Sequence, residues 1–535
     1  MSTCAQSLVR LLEGYGVELV FGIPGVHTVE LYRGLHGSRL RHISPRHEQG
    51  AGFMADGYAR ASGKPGVCFI ITGPGMTNIL TAMGQAYADS VPMLVISTTN
   101  RREHLRLGHG HLHELPDQRA MVAGACAFSH TLQSPNELPE LLARAFAIFQ
   151  CARPRPVHIE IPLDVLEMPA DHLNLMPRSL PGAPAPAPAS IQAAATLLNG
   201  AHRPLILAGG GARGCAEVLQ QLAEQLYAPV ALTTNARGLL PCGHRLLLDG
   251  VQSSAHGRAL VDEADVILAV GTELGETDYD FFGLGPLHFK APLIRLDIDP
   301  MQVMGVQRAH VGLLGDAREG LQMLLERIAP VAARGRWAED SVQRVNQCER
   351  DGWSVKQRGL QGLLDLLRDS LGSPLLVGDS TQPVYQGASG YQAPMPASWF
   401  NAGSGYGTLG YGLPAAIGAK LAQPDRPVVA LVGDGGLQFT CAELIAAREA
   451  QIGVILLVWN NQCYAEIRDY MQAREIPALG VEILTPDFKA MAASFHVEYH
   501  RAQDPTQLHE LLLAFADTRE PVMLEVDAEA YLASL

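Results

Sequence analysis

Two short polar motifs close neighbouring apolar runs late in this chain. Gly433-Asp434-Gly435 ends Pro427-Val428-Val429-Ala430-Leu431-Val432, and Asn460-Asn461 ends Val454-Ile455-Leu456-Leu457-Val458-Trp459, with 24 residues, 436 through 459, between the motifs. A parallel strand pair needs a crossover of a dozen or more residues. The stretch from Thr440 to Ala450 can supply that crossover as a helix, which brings both motifs to adjacent strand ends. Asp434 and Asn461 would then face a common point. A carboxylate and an amide oxygen beside a glycine loop suit Mg²⁺ carrying a diphosphate, because Mg²⁺ takes oxygen ligands and shares phosphate oxygens. The plain alternative is a pair of turns that only punctuate two buried strands.

The elements that must position these residues fit a large globular chain. At 535 residues it suggests about three domains. Hydrophobic residues make up 47% and charged residues 18%, which excludes a disordered or fibrous chain. A net charge of −14 without a Lys/Arg run argues against a nucleic-acid partner. No apolar run approaches membrane length, so no membrane partner is expected either. The nine cysteines are scattered with no Cys-x-x-Cys pair, as in a reduced, cytoplasmic protein. Residues Cys4 to Leu12 read as an amphipathic helix rather than a signal peptide.

Alternating prolines from Pro181 to Pro188 cannot hold a helix and mark an extended linker. Before it, Val67 to Ile71, Met93 to Ile96 and Val157 to Ile159 read as strands separated by helical patterns. After it, Pro204 to Ala208, Ala228 to Asn235, Val266 to Val270 and Leu293 to Asp297 give a second set, ending near Ile328. A polar, helix-prone stretch over roughly 334 to 357 leads to the third unit. The chain shows no short sequence repeat.

Gly433-Asp434-Gly435 followed by Asn460-Asn461 resembles the signature of thiamine diphosphate enzymes. Across nearly its whole length the chain resembles their acetolactate synthase and benzoylformate decarboxylase branch, and within it the decarboxylases of 5-guanidino-2-oxopentanoate. The resemblance implies an α/β fold of three doubly wound parallel-sheet domains: pyrimidine-binding at 1–170, central at 189–330 and diphosphate-binding at 358–535. It implies thiamine diphosphate and Mg²⁺ as cofactors. Asp434, Asn461 and the backbone carbonyl of Cys463 would hold the metal, with Gly433, Gly435 and Gly436 bordering the diphosphate. It also implies a homodimer or homotetramer whose active sites lie between subunits.

Glu48 lies in Arg46-His47-Glu48-Gln49-Gly50-Ala51-Gly52-Phe53-Met54-Ala55-Asp56-Gly57-Tyr58-Ala59-Arg60, which resembles the family's glutamate motif. That glutamate hydrogen-bonds the aminopyrimidine ring to activate the thiazolium carbon. The bland reading is a helix-capping acid. Gly403-Ser404-Gly405-Tyr406-Gly407-Thr408-Leu409-Gly410 resembles the segment in which Gly407 offers its carbonyl to the cofactor's amino group and Leu409 wedges between the rings. Asp379-Ser380-Thr381-Gln382 ends the strand Leu375 to Val377, where open parallel sheets bind ligands, and Gln382 would face the diphosphate. Gly73-Pro74-Gly75-Met76-Thr77-Asn78 could cradle a phosphate or serve as a tight turn, and stays outside the core site.

His109, His111 and His113 alternate in a loop that faces substrate in the family. They lack the Cys or acidic partners of a persuasive zinc site. His113 could relay the proton that ends decarboxylation, or belong to a solvated loop; His111 would line the substrate. Glu466 and Asp469 share a helix face and would favour a cationic substrate, unless they point to water or pair with Arg468 and Arg474. Gly209-Gly210-Gly211-Ala212-Arg213-Gly214 fits a dinucleotide-binding pattern, but the next strand ends without the acid that would hold a ribose. The segment Gly271 to Asp278 departs from the arginine-containing segment of FAD-binding acetolactate synthases.

The expected activity is decarboxylation of a small-molecule 2-oxo acid to an aldehyde and CO₂. An acetolactate synthase-like carboligase is the nearest rival. A non-catalytic cofactor- or nucleotide-binding protein is the rival of another class, and an intact Glu48 argues against it.

Overall fold

The structure is a computed structural model that describes residues 2–250, 254–279, 285, 287–305, 307–329 and 337–535. The expected central-domain limit at 330 and positions 334–336 of the expected connecting stretch lie outside the described residues.

Three six-stranded sheets follow one another along the chain, and every strand pairing in them is parallel. The first holds β1 (Leu19–Gly22), β2 (Arg41–Ile43), β3 (Gly66–Ile70), β4 (Met93–Thr99), β5 (Phe128–Thr131) and β6 (Val157–Pro162). The second holds β7 (Pro204–Ala208), β8 (Val230–Leu232), β9 (Leu247–Leu248), β10 (Val266–Val270), β11 (Leu293–Asp297) and β12 (Val311–Leu314). The third holds β13 (Leu375–Gly378), β14 (Trp399–Asn401), β15 (Val428–Gly433), β16 (Ile455–Asn460), β17 (Glu498–Ala502) and β18 (Val522–Asp527). Central strands such as β4 and β15 are buried at every position, because helices cover both faces, and so read as unbroken apolar runs.

The first sheet runs β2-β1-β3-β4-β6-β5 and the third β14-β13-β15-β16-β18-β17, so the outer domains share one topology without a visible sequence repeat. The middle sheet runs β12-β11-β10-β7-β8-β9, the classic dinucleotide-fold order. All three are doubly wound, as expected.

Some boundaries differ from the sequence reading. The expected strand Ala228 to Asn235 narrows to β8: the Thr233 N–H still bonds the Ala208 carbonyl of the neighbouring strand, but Thr234–Ala236 then forms a 3₁₀ turn. Residues 181–187 carry no regular element, and a helix starts at Pro188. The proline stretch is docked rather than free: the Asp316 N–H donates to the Pro184 carbonyl at 2.7 Å. Helix Trp337–Gly352 occupies most of the connecting stretch, and helix Val355–Leu371 contains position 358, the expected start of the third unit.

The outer domains meet through helices Glu48–Ser62 and Gly412–Ala422. A Cβ on Gly57 would stand 1.9 Å from the Ala415 carbonyl oxygen, and one on Gly418 would stand 1.9 Å from that of Met54. Only glycine permits this crossing. Beside it, the fully buried Arg60 donates to Asp56 at 2.6 Å, Asp89 at 2.6 Å and the Asn235 side-chain oxygen at 2.9 Å. The Tyr411 hydroxyl donates to Asp56, so one buried cluster joins all three domains. Burial works against the Arg60 charge, but the carboxylates outweigh it and hold the guanidinium protonated. Gly57→Ala should force the helices apart at a cost of roughly 1–3 kcal/mol. Calorimetry should then show a lower thermal midpoint; an unchanged midpoint would mean that the crossing has slack.

Candidate functional site

The chemistry-bearing side chains gather at the carboxyl ends of the strands in the two outer sheets. In the third sheet Asp379 follows β13, Asp434 follows β15 and Asn461 follows β16, with Gly433 in register with Trp459. Parallel pairing therefore delivers both opening motifs to one edge.

Asp434 is 2% exposed, and its Oδ2 has no hydrogen-bond partner among the described residues. Burial pushes its carboxyl above the usual range, while the N–H groups of Gly435, Gln462 and Asn461 pull the other way. Those contacts tie the two motifs together. Asn461 donates its Nδ2–H to Gln382 Oε1 at 3.2 Å and accepts the Cys463 N–H on Oδ1 at 3.2 Å. Gln382 Oε1 also accepts from the Trp459 indole at 3.3 Å. Cys463 forms an isolated antiparallel bridge with Glu482, and its thiol is buried.

The glycines here make room for specific neighbours. A Cβ on Gly435 would meet the Tyr464 ring at 2.5 Å, one on Gly436 the Asp379 carboxyl at 3.2 Å, and one on Gly433 the Thr381 hydroxyl at 3.0 Å. Asp379 accepts from the Ser380 and Gly412 N–H groups at 2.8 and 3.1 Å, yet burial pushes its carboxyl up to about 6. Gly407 has φ +77° and open space where a side chain would be. Leu409 is half-buried and belongs to none of the packed apolar clusters among the described residues.

These groups fit a magnesium diphosphate. An uncompensated buried carboxylate oxygen is costly unless a cation or donor meets it. Among the described residues no three His, Cys, Asp or Glu side chains converge on a metal site, which also leaves the alternate histidines without a zinc site. A cation at Asp434 would draw on amide and carbonyl oxygens, the hard donors that Mg²⁺ takes.

In the first domain Glu48 opens helix Glu48–Ser62 and is half-buried. Asn78 donates to its Oε2 at 2.9 Å, and a Cβ on Gly75 would stand 3.3 Å from its Oε1. The Gly73 to Asn78 turn, kept outside the core site by the sequence reading, thus packs around Glu48. Gly73, at φ +70°, abuts His113: a Cβ there would lie 2.8 Å from the His113 carbonyl oxygen. His113 itself has φ +60°, a conformation few non-glycine residues hold without support.

His27, overlooked in the sequence, stacks on His113 with ring centroids 5.1 Å apart, and its Nε2 meets the Asn100 side-chain oxygen at 3.2 Å. Burial lowers the His27 pKa, and His113 adds to that, against the Asn100 hydrogen bond. The Nδ1 atoms of both rings are buried without hydrogen-bond partners among the described residues. The available signal was a Pro24-Gly25 turn just past the apolar strand Leu19–Gly22. His111 stacks on His104 at 4.1 Å, and His109 is exposed.

Glu466 is exposed on helix Ala465–Ala473, and its charge reaches the Tyr385 hydroxyl. Asp469 is held by Lys356 at 3.4 Å and Arg468 at 3.1 Å, so it does not stand as a free acid. Arg474 instead lies over the Tyr470 ring. Among the described residues no hydrogen bond or ion pair joins Glu48 to Asp434.

The middle domain shares a cleft of about 550 Å³ with the other two, lined by its Gly209, Gly211 and Thr272 together with Asp89 and Arg153 of the first and Gly405 of the third. Its glycine turn is closed against the neighbouring turn: a Cβ on Gly209 would lie 2.4 Å from the Gly271 carbonyl oxygen. Backbone packing accounts for these glycines.

Three family models match in chain order: the N-terminal TPP binding domain of thiamine pyrophosphate enzymes over 2–121, their central domain over 191–324 and their C-terminal TPP binding domain over 379–526. A probable 2-ketoarginine decarboxylase of Pseudomonas aeruginosa is 47% identical over 515 residues, covering 96% of this chain and 91% of the relative. The chain belongs to the thiamine pyrophosphate enzyme family. It is also similar to a probable acetolactate synthase large subunit of Methanocaldococcus jannaschii, 32% identical across 98% of this chain and 91% of that one. Similarity to the acetolactate synthase isozyme 1 large subunit of Escherichia coli is 33%, over 86% and 82% of the two chains. His27→Phe should keep the stack and the thermal midpoint but lower kcat by about 10- to 100-fold, the lower part of the range for proton-transfer groups; unchanged kcat would make the ring structural only.

Proposed function

We propose that this protein is a thiamine diphosphate and Mg²⁺ dependent decarboxylase of a 2-oxo acid, with 5-guanidino-2-oxopentanoate as substrate and an aldehyde and CO₂ as products. The observation that carries the cofactor assignment is the buried, unpartnered Asp434 oxygen beside Asn461. The decarboxylase relative, more similar than the two synthases above, supports this choice of reaction.

Asp434, Asn461 and the Cys463 carbonyl would hold Mg²⁺, with Gly433, Gly435, Gly436 and Gln382 around the diphosphate. Gly407 would accept from the aminopyrimidine, and Leu409 would keep the two rings bent. When bound, the cofactor supplies a thiazolium that takes up the electron pair left by CO₂. Glu48 would hold the aminopyrimidine proton, and its Asn78 hydrogen bond at 2.9 Å leaves Oε1 available for that work. His113, steadied by the His27 stack, would deliver a proton to the carbon that has lost CO₂, with His111 lining the substrate.

Of the two acids proposed for the substrate's cationic end, Glu466 is better placed than Asp469, which Lys356 and Arg468 already neutralise. Glu48 and Asp434 lie in different domains, and large apolar side chains stand exposed on both: Val26 and Leu112 on the first, Ile467, Tyr470, Leu479 and Leu484 on the third. Such patches mark interfaces. They support a homodimer or homotetramer in which one subunit's Glu48 meets another's Asp434. We take the domain limits as 1–170, 189–330 and 358–535, and the nine free cysteines support a cytoplasmic setting. Among the described residues no helix is long and apolar enough to cross a membrane.

The carboligase reading is favoured by the synthase relatives alone. Protein reconstituted with both cofactors and given 5-guanidino-2-oxopentanoate should yield CO₂ and 4-guanidinobutanal by mass spectrometry. Acetolactate from pyruvate as the dominant product would overturn the assignment. Glu466→Gln should raise KM for the guanidino acid about tenfold, the scale of one charge-assisted hydrogen bond. KM for a neutral 2-oxo acid of similar length should stay nearly constant; an equal rise for both would remove Glu466 from substrate recognition.

A further inference from the structure

Glu443 is an acid on an otherwise apolar helix face, and it is 1% exposed. Its carboxylate reaches from the third domain into the first. Oε1 accepts the N–H groups of Arg46 and His47, both at 3.1 Å, and Oε2 accepts that of Arg46 at 3.0 Å. These are the two residues immediately before Glu48. Gly50, on the next turn, makes the approach feasible, since a Cβ there would lie 2.2 Å from Glu443 Oε1. A negative charge at a helix start is electrostatically favoured, but Glu48 itself opens this helix. Two acids therefore share one helix end, one half-exposed and one buried behind it.

We propose that Glu443 is a positioning residue for Glu48: by clamping the peptide N–H groups of Arg46 and His47, it fixes where the Glu48 carboxyl stands. The inference rests on the activating role given to Glu48 above. The charged and titratable groups around Glu443 are Arg46, His47 and Glu48 from the first domain, with Glu449 on its own helix bound to Arg46. Burial pushes the Glu443 carboxyl up to about 7, the Arg46 and His47 N–H groups and the Arg46 charge pull it down, and Glu48 adds to the rise. Because the folded value lies above the ordinary 4.5, Glu443 contributes stability at low pH that is lost as pH rises through about 7.

The test compares Glu443→Gln, Glu443→Ala and Glu48→Gln in the full-length protein. In calorimetry without cofactor, the wild-type thermal midpoint should fall more between about pH 5 and pH 7 than that of Glu443→Gln. Thiamine diphosphate affinity, measured by titration calorimetry with Mg²⁺, should stay within about threefold in both Glu443 variants, since their diphosphate loop is intact. Deuterium exchange at the bound cofactor's ring C2 should slow about tenfold or more in Glu443→Ala. Glu443→Gln keeps one oxygen for both N–H groups, so it should recover most of that rate. Wild-type exchange rates in both variants, with exchange lost in Glu48→Gln, would overturn the positioning role. Slowing accounted for entirely by weaker cofactor binding would overturn it as well. Wild-type exchange in Glu48→Gln would instead overturn the role of Glu48 itself.

Discussion

The close crossing of helices Glu48–Ser62 and Gly412–Ala422 is the constraint on which the other features depend. Gly57 and Gly418 bring the two backbones into direct contact, a separation that any side chain would prevent. At this distance Arg60 can be buried completely, because Asp56 and Asp89 neutralise it and Asn235 completes its hydrogen bonding. Removing one partner from such a cluster strands a buried charge, which costs several kcal/mol. The first and third domains are thereby held in one orientation, with the middle domain attached through Asn235. Glu443 can touch the start of the Glu48 helix only because this orientation is set.

Burial without full pairing recurs among the acids at the strand ends. Asp434 keeps one oxygen without a partner among the described residues, and Asp379 is pushed upward although several N–H groups face it. A protein built only for stability would replace such groups with apolar ones, because a desolvated carboxylate is expensive. Acids retained in this condition are the kind whose electrostatics a ligand would complete, the basis of the proposed cofactor site. The histidines show the same pattern in the first domain, where two stacked rings each keep an Nδ1 without a partner among the described residues. The left-handed backbone of His113 adds strain that its neighbours must support.

The three sheets also separate what is shared from what is particular. The outer two have identical strand order, so their site-bearing edges are built alike: short turns after parallel strands, with glycines where backbone must pass backbone. The middle sheet keeps the dinucleotide-fold order, yet its glycine turn is occupied by packing against Gly271 and Thr272. A matching pattern of glycines thus has two different physical causes in one chain. The two acids on helix Ala465–Ala473 also differ in their surroundings, with Lys356 neutralising Asp469 while Glu466 remains exposed.

Much of this was legible in the sequence because it depends on local chemistry. Apolar runs closed by Gly433-Asp434-Gly435 and Asn460-Asn461 become β15 and β16, and the crossover helix falls within the expected stretch. Their parallel pairing follows from the chain length between them. The glutamate motif, the alternation of strands and helices, and hence the family were likewise readable from consecutive residues. His27 and Glu443 were not, because each owes its place to a contact distant in sequence: His27 to His113 and Asn100, Glu443 to peptide groups 396 and 397 residues away. The Arg468 partner of Asp469 was among the alternatives the sequence offered, but Lys356, which arrives from another helix, was hidden. The sequence by itself determined which strands form and which polar groups end them, because periodicity and turn chemistry act over a few residues. Only the tertiary structure decided which of those groups is paired, buried or left open, because desolvation and hydrogen bonding depend on what the rest of the chain packs beside them.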